Sequence, residues 1–232
     1  MEREPEPELM SSREQVLAYS EGDFSIGEKK LVEFIDQFLR KNRITLSTND
    51  LIVDLGCGPG NITEKLALKW PEVNVLGVDG SEEMIARAKR NKNCHRFNKA
   101  LSRNLAYLCA DIKKLQLSDI SSSKNIALLV SNSLIHHIIN IKDFLDCIKR
   151  LSSNKTINFH KDLRRPVTKK IALELKEQCS KEYNQILTND YYASLKASYT
   201  KDELKNFLIK EESYALNVLE EDNKYLMVYG RL

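Results

Sequence analysis

The chain has 232 residues, of which 30% are charged and 42% hydrophobic, with a formal net charge of +3. These proportions belong to a globular protein with a core and exclude a disordered or collagen-like chain, and the length suits one α/β domain with additions. The small net charge does not imply a nucleic-acid or anionic-membrane partner, and no apolar run approaches the ~20 residues of a membrane span.

Cysteines stand at 57, 94, 109, 147 and 179, an odd number with no C-x-x-C spacing. This predicts a reduced, cytoplasmic protein without a metal site. Residues 1–10, with Glu2, Glu4, Pro5, Glu6 and Pro7, lack an apolar centre and predict a disordered acidic tail. Residues 11–50 predict helix, because Leu31, Phe34, Ile35, Phe38 and Leu39 form one apolar stripe. Next, Leu51, Ile52, Val53 and Leu55 predict a buried parallel strand that encloses one acid, Asp54. Gly56, Gly58 and Gly60 break that strand, and Ile62, Leu66 and Trp70 share one face of a helix beginning at Asn61. Strand, glycine turn and helix make a cofactor site, since glycine admits close approach and the first N–H groups of a helix are unpaired. The glycines run G-x-G-x-G, unlike the G-x-G-x-x-G of dinucleotide sites. The stretch 73–79 predicts a second strand ending in Asp79, where an acid roughly 20 residues past the loop can accept both ribose hydroxyls. Ser81 reads as the N-cap of the following helix, with Glu82 and Glu83 in its first turn.

Arg87, Lys89, Arg90, Lys92, His95, Arg96, Lys99 and Arg103 crowd the next stretch, where only Phe97 is interleaved. A solvated face explains this run better than an RNA patch. Residues 105–112 predict a third strand closing on Asp111, either a ligand contact or a helix N-cap. A fourth buried strand over 126–130 gives way to Ser131-Asn132-Ser133 and then to His136 and His137. Ile141, Phe144, Leu145, Ile148 and Leu151 mark a helix, and residues 155–160 a fifth strand followed by Lys161-Asp-Leu-Arg-Arg-Pro166. The stretch 167–208 reads as two or three helices carrying Tyr183, Tyr191, Tyr192 and Tyr199, with capping-box spacing at Thr200–Glu203. Two strands over 213–219 and 224–229 end the chain.

The ordered set of Asp54, the glycine loop, Asp79, Asp111 and the Ser-Asn-Ser-Leu-Ile-His-His run resembles the class I S-adenosylmethionine-dependent methyltransferases of small-molecule type. Motif-level likeness covers residues 50–160, and Asp-Leu-x-Arg-Pro after the fifth strand recurs in a poorly characterised subgroup. The resemblance implies a Rossmann-like α/β fold: a seven-stranded, mostly parallel sheet with a C-terminal antiparallel hairpin and helices on both faces. It also implies one domain from residue 11, made of a helical lid (11–50), a cofactor core (51–165), a substrate cap (166–210) and the hairpin (211–232).

The cofactor implied is S-adenosylmethionine, held by Asp54, Gly56, Cys57, Gly58, Gly60, Asn61, Asp79, Gly80, Met84, Asp111, Ile112, Ser131 and Asn132. Met84 reads equally as a core methionine. Tyr19, Arg164, Arg165 and Tyr191 are the implied acceptor contacts; Tyr19 and Tyr191 read equally as packing, and the arginines as loop anchors. The reaction would be direct displacement at the methyl group, with His136 or His137 as base where the acceptor must lose a proton. The expected partner is a small-molecule acceptor rather than nucleic acid or membrane. The readings kept beside it are a non-catalytic cofactor-binding module and an RNA-directed methyltransferase. A transferase using decarboxylated cofactor lacks its acids at Ser131-Asn132-Ser133, and an NAD-dependent oxidoreductase conflicts with the glycine spacing.

Overall fold

The computed structural model describes residues 1–7, 10, 12–93, 101–120 and 125–232. In chain order the elements are α1 (Arg13–Glu21), α2 (Ser25–Lys41), β1 (Asp50–Leu55), α3 (Asn61–Lys69), β2 (Asn74–Asp79), α4 (Glu82–Asn93), α5 (Leu101–Asn104) and β3 (Leu105–Cys109). There follow α6 (Leu117–Ile120), β4 (Asn125–Asn132), a 3-10 turn (Ile135–His137), α7 (Ile141–Leu151), β5 (Ile157–Leu163), α8 (Lys169–Ser180), α9 (Gln185–Ala197), α10 (Lys201–Lys210), β6 (Leu216–Glu220) and β7 (Tyr225–Arg231).

The sheet order is β3-β2-β1-β4-β5-β7-β6, with β7 antiparallel to both its neighbours and the other pairs parallel. The expected seven-stranded sheet with its terminal hairpin is therefore present. β1 shows why its apolar run is continuous. Leu51, Val53 and Leu55 face a core layer with α7 and α10, through Phe144, Leu145, Ile148, Leu204 and Leu208. Ile52 faces the opposite layer, where Leu31, Ile35 and Leu39 of α2 meet Ile62 and Leu66 of α3. Side chains alternate across a strand, so a strand covered on both faces must be apolar at every position. Asp54 falls on the α3 side and accepts a hydrogen bond from Thr63 Oγ1 at 2.7 Å.

Three expectations are corrected. Residues 11–50 do not form one lid: the α2 stripe packs on the sheet as core, while α1, the α1–α2 connection and the first turn of α2 border the cavity. β5 runs to Leu163 rather than ending at His160, because its pairing with β7 continues to Leu163↔Tyr225. Nor do residues 1–7 hang free. The Arg3 guanidinium donates to the carbonyls of Ala197 (2.6 Å), Ile138 (2.9 Å), Ile139 and His136 (both 3.2 Å) and lies 4.0 Å over the Tyr199 ring. The amino group of Met1 donates to Val167 O at 2.6 Å, and the Glu4 N–H to Lys196 O at 3.1 Å. One side chain that satisfies several carbonyls at once turns a composition typical of disorder into a strap.

The predicted cap is α8, α9 and α10. Thr200 closes a capping box: Glu203 N–H donates to Thr200 Oγ1 (3.3 Å) and Thr200 N–H to Glu203 Oε2 (2.8 Å). Thr200→Ala is expected to lower stability by about 1 kcal/mol, read as a shift in the urea midpoint. His95, Arg96, Phe97 and Lys99 of the basic run lie outside the described residues. No helix among the described residues is long and apolar enough to cross a membrane.

Candidate functional site

Parallel strands β1 and β4 leave the sheet centre in opposite directions of strand order, and ligands gather outside the carboxyl ends at such a switch point. A cavity of about 930 Å³ opens there. Its near end is the glycine loop. Gly56, Gly58 and Gly60 all have left-handed backbone (φ +65°, +53° and +92°), which only glycine adopts without strain. A Cβ on Gly58 would meet only Met84 Sδ, at 4.0 Å, so the loop is open at that residue, whereas one on Gly56 would press on Leu134 and one on Gly60 on Tyr107. No side chain caps α3, leaving its first N–H groups for an anionic group.

Asp79 ties this end together. Its Oδ2 accepts the Gly58 N–H and its Oδ1 the Ser81 N–H, both at 2.8 Å. Burial raises its carboxyl above the ordinary range, while those two N–H groups act against the rise. Ser81 is the expected cap, accepting the Met84 N–H at 3.3 Å. Asn61 donates to Glu28 Oε1 at 2.9 Å, and Lys65 pairs with Glu28 Oε2 at 2.6 Å, pinning α2 against α3. Cys57, Gly80, Met84, Asp111, Ile112 and Asn132 line the same cavity. Asp111 lies beyond the end of β3 and accepts the Lys113 N–H at 2.9 Å.

Burial pushes the Asp54 carboxyl up to about 7 from its ordinary 3.8, although the Thr63 hydroxyl favours the charged form. Between those values the folded chain holds a proton that the unfolded chain has released, so stability falls as pH rises through that window. Glu64, raised to about 7 mainly by burial, acts in the same direction. Thermal unfolding of the ligand-free protein between about pH 4 and 8 is expected to show that fall, and Asp54→Asn to flatten part of it.

At the far end Tyr19, Phe24, Tyr183 and Tyr191 form an aromatic wall, with Phe24 tilted against Tyr19 at 4.9 Å and stacked on Tyr183 at 5.5 Å. His136 and His137 face this part of the cavity, their ring centroids 4.3 Å apart. His136 is buried, and its Nδ1 bonds Asp162 Oδ1 while its Nε2 lies 3.4 Å from Glu6 Oε1. Burial opposes its charged form, but the Asp162 and Glu6 carboxylates prevail and raise its pKa. Burial, then the neighbouring His136, push His137 down to about 3. Burial also raises the Glu6 carboxyl, partly offset by His136.

Three expected contacts lie elsewhere. Ser131 is fully buried and shares a hydrogen bond with His160 Nδ1 at 3.0 Å, because it faces inward on β4. Arg164 pairs with Glu220 at 3.1 Å, and Arg165 bonds Glu203 and donates to Ser198 O at 3.1 Å. Both arginines anchor the cap and hairpin rather than the cavity. Sequence reasoning missed Glu6, Glu28, Lys161 and Asp162. Lys161 lines the cavity but is held by Glu221 at 2.7 Å. Pro5 and Pro7 around Glu6, which favour extended chain, were the available hint of an ordered strap.

A model of a methyltransferase domain matches residues 46–213. The malonyl-[acyl-carrier protein] O-methyltransferase of Bacillus anthracis is 27% identical over 137 residues, covering 59% of this chain and 46% of that one. The trans-aconitate 2-methyltransferase of Rhodopseudomonas palustris is 43% identical over 61 residues, 26% of this chain and 23% of that one. The chain thus spans less than half the length of these relatives. A plantazolicin methyltransferase solved with a triazolic desmethylPZN analog and SAH superposes with a TM-score of 0.69 at 17% identity, over 95% of this chain and 91% of that one. A SAM-dependent methyltransferase from Aquifex aeolicus does so at 0.63 and 15% identity, over 93% and 97%.

Proposed function

The chain belongs to the methyltransferase-domain family, and from that premise we propose that it moves the methyl group of S-adenosylmethionine to a small-molecule acceptor. The observation that carries this reading is a single cavity lined by the glycine loop, Asp79 and Asp111 at one end and by His136, His137 and Tyr191 at the other. The donor set fits the cofactor. The Gly58 cradle admits its bulk, the uncapped start of α3 takes its carboxylate, Asp79 keeps lone pairs for the ribose, and Met84 and Ile112 offer apolar contact to the adenine.

When bound, S-adenosylmethionine supplies an electrophilic methyl group on a sulfonium. The chain's own part is alignment and exclusion of water. Tyr19 from α1, Phe24 from the α1–α2 connection and Tyr191 from α9 enclose the acceptor end. Asp162 orients His136 through Nδ1, leaving Nε2 toward the cavity, so the paired imidazoles are the groups able to take up or polarise an acceptor proton. The names of the relatives range from trans-aconitate to a malonyl group on an acyl-carrier protein, and the solved neighbour holds a plantazolicin analog; trans-aconitate is the one that supports the small-molecule reading. The test incubates the protein with methyl-labelled S-adenosylmethionine and a fractionated metabolite extract. Label is expected in a small-molecule product; label recovered only in RNA or protein would overturn the acceptor class.

A further inference from the structure

We propose that Glu6, His136 and His137 form a binding site for a divalent transition-metal ion of the zinc type at the acceptor end of the cavity. Glu6 Oε1, one ring nitrogen of His136 and one of His137 lie within 4.8 Å of one another. Glu6 Oε1 is 3.4 Å from His136 Nε2 and 3.4 Å from His137 Nδ1. Ligand bonds of about 2.0–2.2 Å in a tetrahedral shell separate neighbouring ligand atoms by about 3.3–3.5 Å, so these two edges already have the spacing of a zinc site.

Three further features point the same way. Glu6 Oε1 is buried yet makes no hydrogen bond, its polar neighbours being the two ring nitrogens at 3.4 Å. His136 carries the carboxylate–imidazole support typical of metal ligands: Asp162 holds Nδ1, fixing the tautomer that presents Nε2. Asp162 is itself held by the N–H groups of Ile135 and His136. Charge also matches, since the two carboxylates around two imidazoles are neutralised by a divalent ion. His137 Nδ1 also donates to Pro7 O at 3.4 Å, a hydrogen bond that an ion on Nδ1 would replace.

Two imidazoles and one carboxylate leave an open coordination position, the arrangement of catalytic rather than structural zinc. That position faces the cavity, so it suits an acceptor whose oxygen ligates the ion and is polarised by it. This role rests on the methyl-transfer reading, whereas the binding of the ion does not. The strap gains a purpose as well: Arg3 fastens residues 1–7 to the carbonyls of the His turn, and so delivers Glu6 to it.

The experiment titrates chelator-treated full-length protein with Co²⁺, followed by visible absorption, and with Zn²⁺, followed by calorimetry. One equivalent is expected, with the intense visible bands of low-coordinate cobalt. His137→Ala and Glu6→Gln are expected to weaken binding at least 100-fold, and Asp162→Asn by about 10–100-fold. S-adenosylhomocysteine titration of the same variants, expected unchanged for His137→Ala and Glu6→Gln, shows that they are folded and tests the cofactor separately. Absence of a stoichiometric ion in the parent, or binding undiminished in both His137→Ala and Glu6→Gln, would overturn the site.

Discussion

Asp79→Ala is expected to raise the dissociation constant for S-adenosylmethionine and S-adenosylhomocysteine by at least about 100-fold, a loss of roughly 3 kcal/mol. Two losses add. The carboxylate accepts the Gly58 and Ser81 N–H groups, so its removal releases the glycine loop from the end of β2 and from the start of α4. It also removes the acceptor expected for the ribose hydroxyls, and hydrogen bonds to an ionised group are each worth about 1.5–3 kcal/mol. Asp79→Asn separates the two effects in part, because an amide keeps the shape but presents one acceptor oxygen only. Calorimetric titration of all three proteins measures this. Undiminished affinity in the alanine variant would place the ligand away from the glycine loop.

Asp162→Ala is expected to cost about 3–5 kcal/mol of folding stability and to abolish methyl transfer. The buried carboxylate accepts the N–H groups of Ile135, His136 and Leu163 as well as His136 Nδ1. Truncation leaves these donors unsatisfied and His136 without the group that orients it. Asp162→Asn keeps the volume and one acceptor oxygen, so it should recover part of the stability and little of the activity. Urea unfolding and the labelled-methyl assay, run on both variants, give that contrast. Equal loss of activity and stability in both would reduce Asp162 to a folding residue.

The glycine-loop end of the cavity was readable in its backbone because its signals are local. Asp54 within an apolar run, glycines at 56, 58 and 60, Ser81 before two acids and Asp79 at a strand end each lie within a few residues of the structure they produce. Backbone sterics and capping act over that range, so composition and spacing carry the information. The continuous burial of β1 and the helical stripe of α2 were legible for the same reason. Where α2 went was not: an apolar stripe says that a face is buried, not whether it covers a sheet or a ligand.

The acceptor end depended on contacts far apart in the chain. Glu6 meets His136 across 130 residues, Asp162 meets it across 26, and Arg165 turns to Glu203 38 residues later. An arginine beside a predicted active-site edge carries the same sequence signal whether it reaches into the cavity or back to the cap, and the extension of β5 along β7 decided the second. A Pro–Glu run likewise reads as disorder until a partner surface exists. Sequence by itself therefore determined the sheet, its glycine loop and the family, through interactions closed within single turns. Tertiary structure alone decided which charged groups meet beside the two histidines, because a carboxylate's partner is set by where distant elements pack and not by its neighbours in the chain.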